Sequence, residues 1–210
     1  MKNLTNAVIF CLCILGIACT SKPKTKSISH SSTTAFGIFS EVEQFAKEAY
    51  PNAVFFGFNN HGPSVYRDNR MPETPDKNGV LSYWFYLFAK TPEALADKHV
   101  ANDEAFGVLF RNGKLQLVKE VLTNFSCDEK APIGRKAFAF DTDTLFENVV
   151  EKTKQEFTDE FPVPFIGHVN FNCSPALCEV TLFLNPKEGF DVEVKPTTGA
   201  INHTRSVFFD

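Results

Sequence analysis

Residues 80–89 read VLSYWFYLFA, the strongest strand signal in the chain. Alternation puts Tyr83, Phe85 and Leu87 on one face and Trp84, Tyr86 and Phe88 on the other, so both faces are aromatic or apolar. A strand of this kind needs cover on both sides, unlike one with a single wet face. The preceding strand, 53–58 (AVFFGF), has the same property: simple alternation sets Val54, Phe56 and Phe58 on one face and Phe55 on the other. After residue 89 comes a hairpin, 105–111 and 114–121, turned by Asn112 and Gly113, a pair that tolerates positive φ at both positions. Before residue 53 lies a helix. Ser40 and Glu43 form a capping-box pattern, Val42, Phe45, Ala46, Ala49 and Tyr50 follow helical spacing, and Pro51 stops it.

The second half repeats this order. Thr144 and Glu147 make another capping-box pattern, and Leu145, Phe146, Val149, Val150, Thr153, Phe157 and Phe161 form one stripe. Pro162 and Pro164 end that helix. Strands follow at 165–172 and 177–184, then a closing hairpin, 190–195 and 200–209, around a turn ending in Gly199. These strands alternate cleanly, with Phe190, Val192 and Val194 against Asp191, Glu193 and Lys195. The expected fold is therefore α+β, as two tandem units (35–123 and 124–210), each one helix packed on a four-stranded antiparallel sheet.

The composition agrees with a folded, disulfide-tolerant body. The 210 residues carry 21 Lys plus Arg against 25 Asp plus Glu, a net charge of −4, which argues against a nucleic-acid binder. A hydrophobic fraction of 43% with 22% charged residues is that of a globular chain.

The amino terminus is different. Lys2 precedes an uncharged apolar run at 7–18, too short to span a bilayer as a helix (~20 residues are needed) and suited to a signal-peptide core over 1–18. The run ends in Leu15, Gly16, Ile17 and Ala18 before Cys19, and this resembles the lipobox of bacterial lipoproteins. That resemblance implies cleavage before Cys19, lipidation of Cys19 and membrane attachment through the lipid. With Thr20 in place of Asp after the Cys, it also implies sorting to the outer membrane of the cell envelope. Residues 19–34 are rich in Ser and Thr with three Lys and no acid, and read as a lipidated Cys followed by a flexible tether.

Cys11 and Cys13 leave with the signal peptide. Cys173 and Cys178 flank a four-residue turn between two strands, which sets them opposite each other on the core side and predicts a disulfide. Cys127 is then left over, either a buried free thiol or a competitor for one of the pair. A metal site is not expected, because C-x4-C alone lacks the second ligand pair that zinc requires.

The chain end, VEVKPTTGAI over 192–201, resembles the strand-turn-strand close of PepSY-type domains, and the tandem helix-plus-four-strands plan is similar to that of secreted β-lactamase-inhibitor proteins. Both resemblances imply binding or inhibition of another macromolecule, without a cofactor. Two surfaces are candidates for a protein partner. One is the aromatic strand face, with Tyr83, Trp84 and Tyr86, residue types enriched at interfaces. Its alternative is cover from the other unit. The second is the long loop after residue 58, where His61, Tyr66, Arg67 and Arg70 suit an anionic or aromatic group. A carrier of a small apolar ligand is the competing function, with the Phe-rich sheet lining a cavity. Catalysis is not expected: no nucleophile elbow, zincin or phosphate-loop motif occurs, and the five His are scattered.

Overall fold

A computed structural model describes residues 24–62, 80–95, 100, 103–119, 121, 133–162 and 167–208. In chain order these form β1 (Thr25–Ser27), α1 (Phe39–Lys47), β2 (Val54–Asn59), β3 (Tyr83–Ala89), β4 (Ala105–Arg111), β5 (Lys114–Val118), α2 (Thr142–Glu156), β6 (His168–Cys173), β7 (Cys178–Asn185), β8 (Glu188–Lys195) and β9 (Ala200–Phe208). All nine strands belong to one sheet, in the order β1-β5-β4-β3-β2-β6-β7-β8-β9, and every neighbouring pair is antiparallel.

This overturns the expectation of two tandem helix-on-four-strand units. The sheet is continuous and dominates the molecule, with two helices on one of its faces. The physical reason is β2. Its far edge pairs with β6, Phe58 opposite Cys173 and Asn59 opposite Asn172, so the two halves share a hydrogen-bonded seam. Gly57 permits the approach: a Cβ there would meet the Cys173 carbonyl oxygen at 2.7 Å. Beyond the last ladder pair, the buried Asn60 carboxamide continues the pairing. Its Nδ2 donates to Val169 O (2.9 Å) and its Oδ1 accepts from Phe171 N (2.8 Å).

A bulge in β2 corrects the expected faces. Phe55 pairs with Phe88, but Gly57 pairs with Leu87, so Phe56 is the extra residue. Phe55 and Phe58 therefore both face the helices, while Phe56 turns to the other side with Val54. The helix side is the main core, where α1 supplies Val42, Phe45 and Ala46 and α2 supplies Leu145, Phe146 and Val149, packed on Trp84, Tyr86, Phe88, Phe171 and Val192. The other side of the first-half strands has its own small apolar layer. Phe56, Phe85, Leu87 and Ala105 pack there with Leu95, Val100 and Val121 from the connecting segments.

Neither capping box forms as expected. α1 starts at Phe39 with Ile38 as its N-cap and no side-chain cap bond, and Ser40 Oγ donates to its neighbour Glu41 instead. α2 starts two residues before Thr144, capped by Asp141, whose Oδ1 accepts from Thr142 N at 2.7 Å. The Asn112–Gly113 turn does form, with φ of 47° and 77°.

The segment expected to be a tether up to residue 34 is instead part of the body from residue 24 onward. β1 pairs with β5, Thr33 bridges Leu81, and residues 33–36 form a strap across the helix side. Trp84 Nε1 donates to Thr33 O (2.8 Å) and Tyr86 Oη donates to Ala35 O (2.7 Å). Asp141 accepts from Thr34 Oγ1 (2.6 Å) and from Phe36 N (3.1 Å), and Thr142 Oγ1 accepts from Ala35 N (3.0 Å). Phe36 then sits among Phe39, Phe55, Phe58 and Phe138 with ring centroids 5.2–6.0 Å apart, and the Arg135 guanidinium lies 3.7 Å over its ring.

Two stability measurements check this packing. Asn60→Leu removes both seam bonds and strands a buried N–H and C=O, so urea unfolding should show a loss of about 2–5 kcal/mol. Gly107→Ala should cost about 1–3 kcal/mol by overpacking, since its Cβ would fall 2.1 Å from the Phe85 ring. Phe85→Leu should relieve that clash, making the pair of substitutions less costly than their sum.

Candidate functional site

The aromatic residues expected to anchor a partner divide by register. Trp84 and Tyr86 are wholly buried on the helix side, each with its polar atom bonded to the strap. Burial first, then the Asp141 and Glu41 carboxylates, hold the Tyr86 phenol protonated well above its ordinary range. Neither ring offers a surface, which corrects the expectation that this face is a docking site. The face is core because α1 and the strap cover it. Tyr83 lies on the opposite face and is half-buried, with its hydroxyl against Gly62.

His61 and Gly62 begin the long loop in a turn organised by Asn59. The Asn59 side-chain oxygen accepts from His61 N (3.1 Å) and Gly62 N (2.8 Å), and Gly62 takes a φ of 92°. Burial pushes the His61 imidazole down to about 4, well below its ordinary value. Tyr66, Arg67 and Arg70 lie outside the described residues, as do Cys19, Cys127 and His99. The structure thus brings His61 and Tyr83 to one end of β2 and β3, both beside Gly62, and separates them from Trp84 and Tyr86.

Cys173 and Cys178 are disulfide-bonded, directly opposite each other on β6 and β7 and fully buried. The four-residue turn between them is closed by Ser174 N donating to Leu177 O (2.9 Å) and by Leu177 N donating to Ser174 Oγ (3.3 Å). Among the described residues, no group of three or more His, Cys, Asp or Glu is arranged to hold a metal ion.

The second half presents a polar face, which the alternation of its strands indicated, and an edge strand, which no motif singled out. Its face away from the helices is polar, with Thr181 donating to Asp191 (2.8 Å) and Arg205 paired with the same carboxylate (3.2 Å). Its last strand, β9, is nine residues long and none of them is buried. β9 pairs with β8 on one side and with no described strand on the other. Phe208, at its end, is 78% exposed. The alternation of 190–195 indicated a wet face, but nothing in residues 200–208 distinguishes an edge strand from a central one.

The His61 environment sets a pH dependence. Its folded value lies below the unfolded one, near 6.5, so stability is complete above that value and falls as pH drops from about 6.5 towards 4. His61→Gln cannot take up this proton. Urea midpoints measured across that window should fall more steeply for the natural protein than for the variant.

No family model matches the chain, so neither PepSY membership nor likeness to β-lactamase-inhibitor proteins gains support from that comparison. No curated protein matches it. Among solved structures, the chain is similar to a crystal structure of a provisionally designated lipoprotein from Clostridium difficile 630. That likeness covers 80% of this chain and 91% of that one, with a TM-score of 0.38 and 9% identity. At that level it bears on neither the function nor the details of the fold.

Proposed function

We propose that this protein is a lipoprotein of the bacterial cell envelope, anchored to the outer membrane by acyl chains on Cys19, that binds another protein by strand addition at β9. The anchor rests on the lipobox-like residues 15–19 and on the short apolar run before them. Among the described residues, no helix is long and apolar enough to cross a membrane.

The observation that carries the binding role is the outer edge of β9, which no described strand covers. Among the described residues this nine-residue strand, bulged at Asn202 and with no buried residue, displays a row of backbone groups open to a further strand. Strand addition uses those groups for affinity and the alternate side chains for specificity. His203 and Arg205 project from β9 on the polar face, and Ser206 and Phe208 lie near its end, exposed. The opposite edge is different: β1 is only three residues long and carries Lys26, with Lys24 next to it.

The carrier reading has less support. It needs an apolar space, and on the far side of the first-half strands the apolar layer is filled by Leu95, Val100 and Val121. The proposed role is binding without catalysis, with no metal or cofactor.

Two experiments test it. Cys19→Ser should move the protein from the membrane fraction to the soluble one, and intact mass should lose the acyl chains; a natural protein already lacking acyl mass would sink the anchor. A photo-crosslinking residue at Ser206 should give a discrete protein adduct in cells, lost on Phe208→Asp, whereas the same residue at the exposed Lys154 of α2 should give none. Equal adducts at both positions would count against β9.

A further inference from the structure

The amino-terminal strap limits how this protein can stand on a membrane. Lys24 is fixed to the sheet, its carbonyl oxygen accepting from Leu117 N at 3.0 Å, and Ile28 N donates to Gly113 O at 2.8 Å at the other end of β1. Five peptide units separate Lys24 from Cys19. Fully extended, they reach about 18 Å. The sheet is wider than that: eight strand spacings of about 4.8 Å separate β1 from β9, or about 38 Å.

Charge follows the same axis. Residues 24–28 and 114–119, the two outermost strands with their flanks, carry Lys24, Lys26, Lys114 and Lys119 and no carboxylate. Lys24 and Lys26 meet Glu48, the residue after α1, at 2.9 and 3.9 Å, exposed pairs of the kind that contribute little and leave the cations accessible. Lys114 and Lys119 are exposed. At the far end, β8 and β9 together carry Glu188, Asp191 and Glu193 against Lys195 and Arg205, so the four-lysine excess is confined to the β1–β5 edge. A lysine-bearing edge beside a lipid anchor complements anionic headgroups.

We infer that the β1–β5 edge is the membrane-facing end, resting on anionic lipid headgroups, and that β9 points away from the bilayer. This rests on lipidation of Cys19. It makes the anchored edge and the docking edge opposite ends of one sheet, so a partner strand meets β9 without competing with lipid.

The test uses the full acylated protein with Cys127→Ser, carrying a donor fluorophore at Ser29→Cys beside β1 or at Ser206→Cys in β9. The protein is reconstituted in vesicles of phosphatidylethanolamine and phosphatidylglycerol with a headgroup acceptor dye. Energy transfer should be severalfold stronger from position 29 than from position 206. Lys114→Glu with Lys119→Glu, or replacement of the lipid by phosphatidylcholine, should narrow that ratio. Equal or stronger transfer from position 206, with Cys19 acylation verified by mass, would overturn the orientation and leave the anchor intact. A ratio indifferent to both charge and lipid would overturn the headgroup contact. Absence of acyl mass on Cys19 would instead overturn the lipoprotein reading on which the inference rests.

Discussion

Asn60 occupies the place where two half-sheets become one. The ladder between β2 and β6 has two residue pairs, and the carboxamide of Asn60 adds a further donor and acceptor where the β2 backbone turns away. A buried amide satisfied on both atoms is worth more as a constraint than as net energy, because any apolar replacement strands its backbone partners. Everything on the helix side follows from that continuity. Trp84 from one half can contact Phe171 from the other at 5.6 Å because their strands lie in one sheet. The disulfide starts in the seam, where Cys173 lies opposite Phe58, and fixes the turn that follows β6.

Much of the local structure was legible in the sequence. The strands at 83–89 and 105–118, the Asn112–Gly113 turn, the second helix and the pairing of Cys173 with Cys178 follow from alternation, turn chemistry and spacing. The joining of the halves was not, because a strand that pairs on both edges and one that pairs on a single edge have the same side-chain pattern. The bulge at Phe56 was equally hidden. One extra residue moves Phe58 to the face of Phe55, away from Val54 and Phe56, and a run of three aromatics around a Gly gives no sign of it. The caps failed for a tertiary reason. Asp141 is preferred over Thr144 because the same carboxylate also holds the strap at Thr34 and Phe36.

The candidate site was legible only in part. Tyr83, Trp84 and Tyr86 are of the type that builds interfaces, but two of the three satisfy their polar atoms on the strap, and buried Trp and Tyr commonly do so. The strap itself escaped detection because its composition is that of a tether. Its bonds are made mostly by backbone atoms, which carry no composition signal. Asn59, Asn60 and Asp141 escaped for the same reason: short polar residues beside turns are common, and only the fold distinguishes those with buried partners. The exposure of β9 is a property of sheet order, which residue types do not encode.

The strap also has a kinetic consequence. Ala35 and Phe36 find their partners at Asp141 and Thr142, more than a hundred residues later in the chain. The backbone N–H groups of Ala35 and Phe36 therefore stay without these acceptors until two thirds of the chain is present, although Phe39, Phe55 and Phe58 of the first half already flank the Phe36 ring. Folding dominated by contacts of this range is slow, because loop closure precedes the reward. The first half is thus incomplete without the second, and the two should fold as one cooperative unit.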